Sequence, residues 1–391
     1  MLANSSKVVY IMKLRCKPAD FIVEEVPSKS WSEKGDFAIA RVTKKKLTTF
    51  AAQKILSEHC KVPFRKIGFS GLKDTHAITT QFFSVETERP ECLNIKQENL
   101  SSELVGFSQE RLRTGDLAGN KFTIVVRNLS ESDIESAERN APLIDAQVPN
   151  YFDSQRFGSL AGTDGFIAKD VLKGDYESAV KRIISAIRKR TKPNVKAFKR
   201  FVVENWGDWK KCSQKAEELG VEKTSDASMV FHLKSAPEDF KGAFQRLYSG
   251  IRQLFFSAYQ SYLWNECAKK ALKEKCNRFY SVEYLAGKLI FPRSKIDAGS
   301  FPTISGDMRA PPEQMRVISS ILRKEGISLP DFFTSEHVFI SRNRPLLISP
   351  ENLEIEADED ELHPGMFKAR ISFFLPKGSY ATIVIKALFE R

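Results

Sequence analysis

No apolar run in this 391-residue sequence approaches the roughly 18 residues that a membrane-spanning helix needs. The N-terminus, MLANSSKVVYIMKLR, lacks a cleavable signal pattern, because its apolar run is short and strand-like. A cytoplasmic protein with no membrane partner is expected. Cysteine is sparse: the six residues Cys16, Cys60, Cys92, Cys212, Cys267 and Cys276 form no C-x-x-C pair. No histidine sits at zinc-ligand spacing from two of them, so reduced structural thiols of an intracellular chain are expected. The five histidines (His59, His76, His232, His337, His363) show no metal spacing, and no G-x-S-x-G accompanies them. No G-x-G-x-x-G follows a strand, which removes the usual sign of a dinucleotide or methyl-donor site. Gly287-Lys288 is followed by Leu289, so it is not a P-loop. Chemistry without metal, cofactor or nucleotide is therefore expected, resting on carboxylates, cations and aromatics.

What is present is charge of one sign. Lys and Arg number 61 against 49 Asp and Glu, a formal net charge of +12. Such a surplus favours a polyanion such as RNA, with a merely basic protein as the rival reading. The stretch GFSGLKDTHAITTQFFSV, Gly68 to Val85, places Lys73, Asp74 and His76 within four positions, then a period-two run from Ile78 to Val85. A tight turn feeding a strand is predicted, with Gly71 placed where a side chain would clash. A carboxylate between two potential cations is a candidate reactive acid, and a solvated loop is the rival. His76 reads as a general base or, more readily, as a loop-orienting group.

Short strands are predicted at Val8–Leu14, on either side of a Pro18/Asp20 turn, and at Phe37–Thr43. Thr48 is placed to cap a helix running to Cys60. Residues 86–112 read as polar and irregular. A strand is predicted over Gly115–Asn128, then a helix from Ser130 or Ser132 to Asn140 with Pro142 beyond it. The block from 159 to 345 is helical in character, with helices over Tyr176–Arg190, Phe240–Lys275 (broken near Gly250) and Pro312–Lys324. Arg188, Lys189, Arg190, Lys192, Lys196, Lys199 and Arg200 form a basic cluster that reads equally as an RNA contact and as a solvated face. Glu351–Glu361 carries seven acids and reads as a solvated loop. Strands at both ends around a helix-rich block predict one discontinuous α+β domain, residues 1–158 with 346–391, and an inserted helix-rich α+β domain, residues 159–345. Antiparallel pairing is the expectation.

Five segments together resemble the TruD pseudouridine synthases. They are Asp20-Phe21-x-Val23-x-Glu25, Gly71-x-Lys73-Asp74-x-His76-Ala77-x-Thr79-x-Gln81, Gly119-Asn120-x-Phe122-Thr123, Pro149-Asn150-Tyr151-Phe152-x-x-Gln155-Arg156-Phe157-Gly158 and Leu375-Pro376-x-Gly378-Ser379-Tyr380-Ala381-Thr382. They occur in family order, while residues 190–345 match only in length and character. The resemblance implies a pseudouridine synthase fold on a curved antiparallel sheet. It implies a stand-alone enzyme that isomerises uridine to pseudouridine in tRNA, typically uridine 13, with no cofactor and no obligate protein partner, working as a monomer. It places Asp74 at the catalytic aspartate and Phe21, Asn120 and Tyr380 at substrate-binding positions, Tyr380 standing where relatives carry Phe. Arg15, six residues before Phe21, matches a basic residue that pairs with the aspartate. Lys73 is expected to face the phosphate backbone, and Gln155 and Arg156 to support the site or touch RNA. The alternative is a non-catalytic RNA-binding protein or RNA chaperone on the same fold.

Overall fold

The computed structural model describes residues 12–390. Of the strand expected over Val8–Leu14, residues 8–11 lie outside the described residues, and Lys13–Leu14 pairs antiparallel with Arg127 and Val126. The described chain forms two compact units. One runs to Val148 and resumes at Ile348; the other is Pro149–Leu347.

A ten-stranded sheet organises the first unit. Its order is Glu351–Glu359, Phe367–Pro376, Leu117–Leu129, Phe21–Pro27, Ile78–Val85, Phe37–Lys45, Leu100–Ser108, Ile95–Gln97. Lys13–Leu14 joins the 117–129 strand, and Ile67–Phe69 joins the 78–85 strand. Pairing is antiparallel except between Phe21–Pro27 and Ile78–Val85, which run parallel. The exception arises because Phe37–Lys45 does not form a hairpin with Phe21–Pro27. It pairs instead with the far edge of Ile78–Val85. That central strand buries every residue after Ile78, so its period-two pattern hides a strand covered on both faces.

Helix Thr49–Cys60 covers one face, with Ala52 and Leu56 packed on Ala40, Val42, Phe83 and Val85. Thr48 caps it, accepting from the Ala51 N–H at 3.0 Å. Burial of Leu56 alone contributes about 2 kcal/mol against about 1 kcal/mol for the cap, so packing decides where the helix lies. At its far end Cys60 is disulfide-bonded to Cys92, which corrects the expectation of six free thiols. The two cysteines are 32 residues apart in sequence, and only the packing of the helix against the sheet brings their Cα atoms to 5.2 Å.

Other expectations are also revised. Residues 86–112 are not irregular, since they hold the Ile95–Gln97 and Leu100–Ser108 strands. Helix Glu131–Ala146 runs through Pro142, whose exposed position leaves the freed carbonyl to water. Ser130 and Asp133 form its capping box. The acidic stretch is largely the edge strand Glu351–Glu359, where Glu356 and Asp358 face Arg370 and Lys368 across the ladder. Opposite charges across the pair, and charge on an edge, suit a strand that must not recruit another. The chain ends in helix Ala381–Phe389.

The second unit is built around helix Ser249–Lys275, whose Trp264 is fully buried and donates from Nε1 to the Phe301 carbonyl at 3.0 Å. The preceding break falls at 246–248, with Gly250 in the new helix's first turn. Helix Tyr176–Ser185 ends five residues early. Lys199 Nζ donates to the carbonyls of Ile183 (3.0 Å) and Ile184 (3.4 Å), closing the last turn. Lys199 also pairs with Asp226, so it leaves the basic cluster, whose Arg188, Lys189, Arg190, Lys192 and Arg200 remain exposed.

Candidate active site

The loop between the Ile67–Phe69 and Ile78–Val85 strands carries Asp74, and several neighbours fix its path. Gly68 enters it under compression: a Cβ there would strike the Leu112 carbonyl and lie 2.6 Å from Ser84 Oγ. Gly71 is different. Among the described residues nothing lies within 4 Å of a Cβ built on it, and its φ is not positive, so the expected clash belongs to Gly68. The Thr49 hydroxyl accepts from the Lys73 N–H and donates to Gln81 Oε1, both at 3.0 Å. Gln81 Nε2 in turn donates to the Gly71 carbonyl at 3.2 Å. Beneath the loop, Lys44 Nζ donates to the Asp74 carbonyl at 3.0 Å and to the Leu47 carbonyl at 2.7 Å.

The Asp74 side chain is 14% exposed and both of its oxygens are engaged. Arg15 Nη2 lies 2.7 Å from Oδ2, and the His76 backbone N–H donates to Oδ1 at 2.9 Å. His76 thus orders the turn through its main chain and is itself exposed. Arg15 has φ of 63°, a left-handed conformation that turns the chain between Leu14 and the 3-10 turn Pro18–Asp20. Its guanidinium carbon lies 4.2 Å from the centre of the Phe21 ring. Phe21 is 4% exposed and meets Phe122 edge-on, so Arg15 lies over the ring at this expected substrate-binding position. Asp20, just before it, is gripped by Arg127, whose Nη1 also reaches Asp360 at 2.8 Å.

Lys73 does not face outward. Its Nζ is 2.6 Å from Glu25 Oε2, and both side chains are almost fully buried. Two opposed charges desolvated together satisfy each other and leave none for a phosphate. Glu25 is the ladder partner of Asn120, whose other partner is Leu375. Asn120 Oδ1 is a buried acceptor with no hydrogen-bond partner among the described residues, and such an atom carries a desolvation cost until something donates to it. Gly119 lets the strands close there, because a Cβ would enter the Leu375 carbonyl and the Phe374 ring. Tyr380, extended and half-buried, precedes the last helix.

Gln155 and Arg156 belong to the second unit. Gln155 is exposed, and Arg156 Nε donates to Ser261 Oγ at 3.0 Å. In the same unit Asn150 is buried, its Oδ1 accepting from Arg344 Nη2 at 2.7 Å.

The site also contains residues that sequence reasoning passed over: Lys44, Thr49 and Glu25. Lys44 hides in a Lys-Lys-Lys run that reads as solvated. The period of its strand would have found it, since Ala38, Ala40, Val42 and Lys44 share the buried face. Burial pulls its ammonium down to about 8; Asp74 partly opposes this and Lys73 adds to it. Among the described residues no cluster of His, Cys, Asp and Glu has the makings of a metal site. No described helix is long and apolar enough to cross a membrane.

Comparison with known proteins follows the same outline. The model of the family described as tRNA pseudouridine synthase D (TruD) matches residues 5–297 and 300–388. A Methanocaldococcus jannaschii protein named probable tRNA pseudouridine synthase D 2 is 39% identical over 97% of this chain and 92% of its own length. The tRNA pseudouridine synthase D of Aquifex aeolicus is 30% identical, over 97% of this chain and 98% of its own. The crystal structure of a protein from Methanosarcina mazei, named putative tRNA pseudouridine synthase D (TruD), superimposes with a TM-score of 0.73 at 28% identity, covering 97% of this chain and 93% of that one.

Proposed function

We propose, because this chain belongs to the tRNA pseudouridine synthase D (TruD) family of isomerases, that it converts uridine to pseudouridine in tRNA, at uridine 13, with Asp74 as the reacting group. The observation that carries this reading is the Asp74 carboxylate. It is nearly enclosed, it sits at contact distance from a guanidinium, and a backbone N–H holds its second oxygen. The reaction breaks the N1–C1′ bond and joins C5 to C1′, while C5 loses a proton and N1 gains one. Its balance needs no oxidant, reductant or nucleotide. What it needs is a carboxylate kept charged and still, and a pocket that retains the detached uracil.

Arg15 offers Asp74 a planar guanidinium fork that suits a carboxylate. Phe21 acts one layer below, as the surface on which Arg15 rests. The orphaned Oδ1 of Asn120 suits the N3–H of uracil, which would relieve its desolvation. Tyr380 supplies a stacking face for the flipped base, worth about 1–3 kcal/mol.

The test is to map pseudouridine in tRNA treated with wild-type protein and with Asp74→Asn. Product at uridine 13 from the wild type is expected. Asp74→Asn should give none, with RNA affinity within a few-fold. An active Asp74→Asn would remove the assignment of Asp74, and product at another uridine would remove the position. A wild type that binds tRNA without modifying it would leave an RNA-binding protein.

A further inference from the structure

A lysine that is 1% exposed is an unusual choice for a covered sheet face. Lys45 and Lys46 beside it are exposed, as the run leads one to expect. Lys44 instead continues the Ala38, Ala40, Val42 row. Both of its hydrogen bonds end on main-chain carbonyls, Leu47 at 2.7 Å and Asp74 at 3.0 Å. A methionine of similar length would fill that space without the cost of desolvating an ammonium. What the methionine could not do is hold the loop.

The other side-chain ties on this loop lie before Asp74 or on its own carboxylate. Gln81 holds Gly71, Thr49 holds Lys73 by its N–H, and Glu25 holds the Lys73 side chain. At the main chain of Asp74 itself the tie is Lys44. We propose that Lys44 is a positioning residue for the isomerisation. It fixes the Asp74 main chain from beneath, so that the carboxylate meets Arg15 and the substrate in a single place. The inference rests on the reading of Asp74 as the reacting group. The charged groups facing Lys44 are Asp74 and Lys73, both on the loop. Loss of a proton near pH 8 would not release the clamp, because a neutral amine keeps two N–H groups for its two carbonyls.

The experiment compares wild type, Lys44→Met and Asp74→Asn on one tRNA, measuring single-turnover rate, RNA affinity and melting temperature. Misplacing a reacting group by about 1 Å costs on the order of 100-fold. Lys44→Met is expected to lose about 10- to 100-fold in rate, by the same factor at pH 7 and pH 9. Its RNA affinity should stay within about twofold, and its melting temperature should change little, since removing a buried charge offsets the two carbonyls left without a donor. A purely structural lysine would give the opposite pattern, with rate, affinity and melting temperature falling together. That pattern overturns the proposal, as does a rate within about twofold of wild type or a deficit that disappears at pH 9. If Lys44→Met does not fold, Lys44→Gln, which keeps polar atoms in the space, is read by the same criteria. An inactive Asp74→Asn beside a fully active Lys44→Met removes only the role of Lys44. An active Asp74→Asn removes the reading beneath it.

Discussion

Arg127 meets Asp20 through Nε and Nη2 and turns Nη1 toward Asp360. Burial pushes the Asp360 carboxyl up, but the N–H groups of Asn128 and Leu362, with His363 and Arg127, outweigh it and bring it down to about 2. An ordinary aspartate carboxyl lies at 3.8, so this group stabilises the fold fully above that value. Its contribution, about 2 kcal/mol, is lost as pH falls through 2. Denaturation of wild type and Asp360→Asn across pH 2 to 5 should show their stability difference shrinking toward the acid end by about that amount. A difference that stays constant would disprove the linkage. Single residues were also where sequence reading was weakest. The pairing of Arg15 with Asp74 was implied by the family resemblance, and the structure brings the two together. Lys73 was misplaced because nothing local reveals that Glu25, on another strand, takes its charge. Phe21 was placed at a substrate-binding position, and nothing in its own segment reveals that Arg15 lies over its ring.

Elements carry their own contrast, in the two glycines of the Asp74 loop. Gly68→Ala would drive a methyl into the Leu112 carbonyl and against Ser84. Overpacking against backbone costs about 1–3 kcal/mol. Gly71→Ala meets nothing and should change stability by less than about 0.5 kcal/mol. Urea unfolding of both variants decides the matter, and equal losses would show that the loop's path is not fixed at Gly68. The strand Phe37–Lys45 was legible within two residues. The Leu100–Ser108 strand was not, because its sequence, LSSELVGFS, places polar residues on both faces. Glu351–Glu359 was missed because its charges are neutralised by Lys368 and Arg370, which come later in the chain.

For the whole molecule, the sign of the charge matters more than any one contact. A net +12 on a protein of this family points to RNA binding dominated by counterion release. The logarithm of affinity for tRNA should fall linearly with that of salt, by about 0.7–0.9 for each phosphate neutralised. A filter-binding series from low to moderate salt should give a slope of about −3 or steeper. A flat line would mean that the basic surplus does not engage RNA. The division into strand-rich ends and a helix-rich middle was visible in composition. The parallel pair was not, because strand order across a sheet depends on contacts far apart in sequence.

One backbone angle joins these scales. Arg15 sits at φ 63°, where an L-residue other than glycine loses about 1–2 kcal/mol. Glycine is what the turn prefers, and a guanidinium is what the role proposed for Asp74 requires. At this position selection for durability and selection for turnover pull in opposite directions. A search that ranks substitutions by stability alone would discard the residue that faces the carboxylate.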